Sequence, residues 1–190
     1  HRNADWNEVL KHRPAPYAII ETPHFILHDR MDLDPYAMGK NLIDAEHLAG
    51  FWDRMVILED WLNLSFSSGE RNHAELMNRD YHISAGYAHA GYPYQVDYNW
   101  EPDPFKVDKL RAEGSWGDFH EVGHNHQNNW WTMSMETEVT VNVFSNVIME
   151  TLVTDSNEWS IDPEKVWSRA LVVHKAGKTY ISMSVWERLC

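Results

Sequence analysis

One short run limits the folds open to this chain more than any other. It is His120-Glu121-Val122-Gly123-His124, inside the stretch GSWGDFHEVGHNHQNNWW from Gly114 to Trp131. On a helix, positions i and i+4 share a face, so both imidazoles of this H-E-x-x-H pattern can reach one ion at about 2.0–2.1 Å, the usual zinc–nitrogen distance. The spacing therefore predicts a helix through residues 120–124. Glu121 projects from the next position, where it can hold a metal-activated water and take its proton without being a ligand. His126 lies well off the shared face, at roughly 100° of rotation per residue, and is read as a solvent-exposed or ligand-supporting side chain. Asp118, two residues before the first imidazole, is read as the cap of this helix.

Zinc sites that activate water take three protein ligands and leave one position open. The third ligand must come from elsewhere in the chain, and MSMETEVTVNVFS offers Glu136 and Glu138. If that segment is helical, Glu138 and Asn142 share a face at i and i+4, as a ligand and a group that orients a histidine would. Glu136 has only Thr140 in the corresponding place, so Glu138 is preferred and Glu136 is the fallback. The local signals conflict: TEVTVNVF alternates and is rich in β-branched residues, which predicts a strand. The following NVIMETLV extends the apolar run beyond strand length, which favours a buried helix. A structural zinc site is disfavoured, because such sites use four closed ligands with cysteine and Cys190 is the only thiol.

The rest of the chain predicts a single α+β domain, expected to be part of a longer protein because the sequence begins at His1. DWNEVLKHR reads as a short helix stopped by PAP, and YAIIETPHFILHD as two extended pieces broken at Thr22-Pro23. Asp34-Pro35 marks a helix start. Leu48, Trp52, Met55, Val56 and Leu62 keep the spacing of a long amphipathic helix. Residues 65–80 read as a polar loop, YHISAGYAHAGYPY as a strand entering a Gly-rich turn with a second strand after it, and PDPFKVDKLRAEG as a helix ended by Gly114. DPEKVWSRALVVHKAG predicts a last helix. A few strands followed mainly by helices is an α+β order.

A formal charge of −13 argues against nucleic acid and anionic membranes, which need clustered Lys and Arg. No apolar run has the length of a membrane span. With one cysteine, no internal disulfide can form. The other histidines lack ligand spacing; His24 and His28 are four apart, but in a segment read as extended. Trp130 and Trp131 are expected to pack behind the metal helix or line its rim.

WGDFHEVGHNHQ followed by ETEVTVNVFS resembles the enhancin-like zinc metallopeptidases, metallopeptidase family sixty, which includes viral enhancins and bacterial mucin-degrading proteases. YHISAGYAHAGYP, TPHFILH and LAGFWDRMV are similar to the family's segments ahead of the metal helix, so the likeness runs from about Ala15 to about Val153. The resemblance implies a gluzincin-like catalytic domain, with a small N-terminal β-sheet followed by a mainly helical part. It implies one zinc ion held by His120, His124 and Glu138, with Glu121 as general base and Asn142 behind a ligand histidine. It also implies that residues 136–153 are helical, and that the protein is secreted or on a cell surface and cleaves mucin-type O-glycosylated proteins.

Tyr87, His89 and Tyr92 are the candidates for stabilising an oxyanion or binding substrate, against a purely structural role at a turn. The Gly-rich segment that carries them could also offer a strand edge to an extended peptide. The alternative function is a family member without catalysis that acts as a glycoprotein-binding or regulatory module. Relatives associated with ion channels show that non-catalytic use of such folds occurs, whereas the intact ligand and base residues favour the peptidase.

Overall fold

The computed structural model describes residues 2–12, 15–32, 37–63, 73–100, 104–129, 132, 136–154 and 175. The elements in chain order are α1 (Asn3–His12), β1 (Tyr17–Glu21), β2 (Phe25–Arg30), α2 (Met38–Asn41), α3 (Ala45–Leu62), β3 (Glu75–Asp80), β4 (Ala88–His89), β5 (Tyr94–Asp97), α4 (Val107–Glu113), α5 (Trp116–His126), α6 (Thr137–Thr140) and α7 (Asn142–Leu152). The sheet has five strands in the order β1-β2-β3-β5-β4. Its two edges are antiparallel, β1 to β2 and β4 to β5, while β2, β3 and β5 run parallel.

The fold class is α+β as expected: all five strands precede residue 98, helices α1–α3 are interleaved with them, and the described elements after them are all helices. Helix α3 crosses over between the parallel strands β2 and β3, as a parallel pair requires. The polar-loop reading of 65–80 is corrected over its second half, where ELMNRD forms the central strand β3, while residues 65–72 fall outside the described residues. Its inward row is Glu75, Met77 and Arg79, all buried. The strand expected at YHIS does not form; Ala88–His89 pairs as the short edge strand β4, and the expected second strand begins at Tyr94 as β5.

Helix α3 is held from both sides. Its N-cap Asp44 accepts from the His47 amide at 3.1 Å, satisfying one of the free donors of the first turn. Trp52 stacks on Phe25 of β2 at 5.2 Å and meets Phe119 of α5 edge-on at 6.3 Å. The sheet, α3 and the α5/α7 pair therefore form successive layers around one apolar core. The stripe from Leu48 to Val56 is buried as predicted. Leu62 is only half-buried, and the final turn instead buries Glu59 and Asp60.

Gly114 ends α4 with φ +74° and a hydrogen bond from its amide to Leu110 O at 2.9 Å. That left-handed turn suits glycine, and a Cβ there would run into the Met149 side chain of α7. The helix start at Asp34-Pro35, Trp130, Trp131, Cys190 and, apart from Lys175, the predicted helix near the C-terminus fall outside the described residues. No helix among the described residues is long and apolar enough to cross a membrane.

Candidate metal centre

Helix α5 presents successive i, i+4 pairs to different neighbours. His120 and His124 form one pair, with ring centroids 4.8 Å apart and ring planes at 89°. Glu121 and Asn125 face the segment after β4, where Ala90 N–H donates to Glu121 Oε2 at 2.9 Å and Gly91 N–H to Asn125 Oδ1 at 2.9 Å. Val122 and His126 are buried. Gly123 brings α7 close: a Cβ at this position would lie 3.1 Å from Phe144 Cβ and 3.1 Å from Val141 Cγ2.

That close approach places α6 and α7 beside the two imidazoles. The strand signal of the β-branched run is overridden and the segment is helical, as the resemblance implies: residues 137–140 and 142–152 form helices. Glu138 Oε2 lies 3.1 Å from His120 Nε2, and Glu138 Oε1 lies 3.5 Å from His124 Nε2. Among the described residues, His120, His124 and Glu138 are the group suited to a metal, their ligand atoms all within 4.8 Å of one another. Glu136 does not join them; it is buried at the N-cap of α6.

Hydrogen bonds fix both imidazoles. Trp116 Nε1–H, which can only donate, reaches Asn142 Oδ1 at 3.2 Å, and Asn142 Nδ2 donates to Glu138 O at 2.6 Å. The oxygen of Asn142 therefore faces His120, 3.1 Å from Nδ1, so Nδ1 carries the proton and Nε2 offers its lone pair. Gln127 does the same for His124. Its amide nitrogen donates to Thr137 O and Thr140 Oγ1, each at 2.8 Å, leaving Oε1 to accept from His124 Nδ1 at 2.8 Å. Two bare Nε2 atoms and a carboxylate thus converge, three acceptors that a cation satisfies together. The donor set fits zinc.

His126 is fully buried, not exposed. Its Nδ1 lies 2.9 Å from Glu59 Oε2 and from Val122 O, and its Nε2 lies 3.2 Å from Asp60 Oδ1. It ties α5 to the last turn of α3 and points away from His120, His124 and Glu138. Asp118 does not cap the helix. The N-cap is Ser115, and Asp118 sits inside the first turn, fully buried. It accepts from Ser115 Oγ at 2.5 Å and from Tyr94 OH. Burial pushes its carboxyl up to about 6, with Ser115, Tyr94 and Arg79 pulling the other way. Burial, reinforced by Asp118, pushes the Tyr94 phenol well up too.

Tyr87, His89 and Tyr92 each have separate neighbours. Tyr87 is exposed and lies against Trp100 at 6.0 Å, and Tyr92 is exposed against His73 at 4.5 Å. His89 uses both ring nitrogens locally, with Ser84 Oγ at 2.8 Å and Ala90 O at 2.9 Å. What this segment brings to Glu121 is main chain. Sequence reasoning had no role for Trp116, Asn125 or Gln127. Only spacing could have suggested them: Gln127 is three residues past His124, and Asn125 four past Glu121.

The sequence model described as "Peptidase M60, enhancin and enhancin-like" matches residues 1–187. A TRPM8 channel-associated factor homolog of Danio rerio is 30% identical over 190 residues, 98% of this chain and 20% of the relative. TRPM8 channel-associated factor 2 of Bos taurus is 31% identical over 148 residues, 77% of this chain and 15% of the relative. The chain thus spans about a fifth or less of the length of these relatives. Among solved structures, a functionally unknown conserved protein from Bacillus anthracis superposes with TM-score 0.76 at 22% identity, over 100% of this chain and 39% of that one. The IMPa metallopeptidase from Pseudomonas aeruginosa superposes with TM-score 0.51 at 20% identity, over 91% of this chain and 22% of that one. Those two likenesses concern the fold alone. The match over nearly the whole sequence shows that this chain belongs to the peptidase M60 family of enhancin and enhancin-like proteins.

Proposed function

We propose that this chain is the gluzincin-type catalytic domain of a zinc endopeptidase. The observation that carries the reading is the convergence of His120 Nε2, His124 Nε2 and Glu138, with both Nδ1 protons engaged from behind. A bound zinc ion would supply Lewis acidity to the scissile carbonyl and to the attacking water. Glu121 works beside it as the general base. Its Oε2 is held by the Ala90 amide, so Oε1 is the oxygen that takes the proton from water and returns it to the leaving amine. The half-buried edge strand β4 lies next to this carboxylate and can pair with an extended substrate backbone, leaving Tyr87, His89 and Tyr92 to contact its side chains. Mucin-type O-glycosylated proteins are the substrate class in this reading, met outside the cell or at its surface.

The test is the purified protein and its Glu121→Ala variant, assayed for bound zinc and for cleavage of an O-glycosylated protein and its deglycosylated form. Zinc retained and cleavage lost in the variant supports the peptidase. Absence of cleavage by the folded, zinc-loaded, full-length wild type refutes it.

A second reading has its own support. Relatives about 30% identical over most of this chain are named TRPM8 channel-associated factors. In that reading the domain binds a membrane protein or glycoprotein as a regulatory module, and the metal group organises the binding surface. Binding undiminished by Glu121→Ala, with no cleavage, favours it.

A further inference from the structure

We propose that Asn125 is a positioning residue for Glu121, acting through the main chain of Ala90 and Gly91; this rests on the reading of Glu121 as general base. The two side chains share a face of α5 at i and i+4. Asn125 grips Gly91 on both sides of its Cα, through the two peptide units that flank it. Its Oδ1 accepts from Gly91 N–H at 2.9 Å, and its Nδ2 donates to Gly91 O at 3.0 Å. The same Nδ2 donates to Glu75 Oε2 at 2.9 Å, and Glu75 is a buried carboxylate at the start of the central strand. One amide therefore joins the metal helix, β3 and the turn between β4 and β5.

Gly91 alone is a poor anchor. It has φ +131°, and a Cβ there would meet nothing closer than Pro93 O at 3.6 Å, so packing does not define its place. The grip does. The residue immediately before it is Ala90, whose N–H donates to Glu121 Oε2. Fixing Gly91 fixes that donor, and the donor decides which carboxylate oxygen stays available for the proton. None of this needs Asn125 to touch metal, water or substrate.

The test uses full-length protein in three forms: wild type, Asn125→Ala, and the double variant Asn125→Asp/Glu75→Gln. The double variant keeps the acceptor for Gly91 N–H and restores the 125–75 hydrogen bond with donor and acceptor exchanged. Amide hydrogen exchange at Ala90 and Gly91 is measured by NMR, together with zinc stoichiometry, kcat and KM. In Asn125→Ala both amides should lose at least about tenfold of their protection while one zinc is retained. kcat should fall roughly ten- to a hundredfold, since a misplacement near 1 Å is enough for that. KM should change far less, as expected for an interaction that matters in the transition state. The double variant should recover Gly91 protection and most of kcat, and it serves as the deciding form if Asn125→Ala does not fold. Unchanged exchange at Ala90, or a loss of kcat that tracks lost zinc, overturns the proposal. If the wild type cleaves nothing, the peptidase reading falls, and the exchange data still decide whether Asn125 sets the Ala90–Glu121 contact.

Discussion

Asn142 is the residue at which the metal-site reading is most exposed to refutation. Replacing it by alanine removes an amide that is buried and makes three bonds: from Trp116 Nε1 at 3.2 Å, from His120 Nδ1 at 3.1 Å, and to Glu138 O at 2.6 Å. At about 1 kcal/mol for each net hydrogen bond, the metal-free fold should lose about 3 kcal/mol. Metal affinity responds to a narrower set of contacts. Only the bond to His120 holds a ligand ring in its tautomer and orientation, and outer contacts of this kind are worth about 10–100-fold in affinity. That is about 1.4–2.7 kcal/mol. Urea unfolding of the metal-free protein reads the first quantity, and competition for zinc with a chromophoric chelator reads the second. Gln127→Ala should produce a comparable affinity loss through His124. Because the two rings meet at one ion and share Glu138, the double variant should lose more affinity than either single variant, with a sum that departs from additivity. If Asn142→Ala loses the expected stability but holds zinc within about twofold of wild type, the amide supports the fold alone, and the tautomer argument for His120 fails.

Three further outcomes follow from other parts of the molecule. Asp29 is buried beside Arg79 and Tyr98, and burial raises its carboxyl from 3.8 to about 6 against the pull of Arg79. A raised acid stabilises the fold below about pH 4 and loses that contribution as pH climbs through 6. The stability of Asp29→Asn relative to wild type should therefore rise by on the order of 3 kcal/mol between pH 4 and pH 7, and a flat difference refutes the shift. His126→Leu should destabilise by about 3 kcal/mol, because Glu59 and Asp60 lose the ring between them. It should still bind one zinc by metal analysis, and a halved stoichiometry would show that His126 is a ligand after all. Gly123→Ala must push Phe144 and Val141 back by a few tenths of an ångström. Overpacking of about 1–3 kcal/mol is partly offset by about 1 kcal/mol of helix propensity, so a net loss near 1 kcal/mol is expected in thermal unfolding, with weaker zinc binding as α7 shifts.

The juxtaposition of His120 and His124 was legible for a specific reason: helical spacing is a local property, and H-E-x-x-H encodes its geometry in five residues. Glu138 and Asn142 were legible for the same reason once the segment was granted to be a helix. The strand signal of their β-branched run was real, and it lost to a contact that no local window contains. Gly123 lies 18 residues before Val141, and its missing side chain is what lets α7 lie against α5. β3 failed in the opposite direction. ELMNRD looks like loop because two of its three inward residues are charged, yet each is answered from far away: Glu75 by Asn125, and Arg79 by Asp29 at 3.4 Å and Tyr98 O at 3.0 Å. A buried charge is tolerated when partnered, and those partners lie 50, 50 and 19 positions distant. His126 belongs to the same class. Its rotation off the metal face was readable from 100° per residue, but its burial was not, because that depends on α3 ending in two acids. The site's chemistry is thus written in short spacings, while the groups that hold it in place act over long separations. Asn125 marks the boundary between the two, with one bond to Glu75 across 50 positions and two to Gly91 across 34.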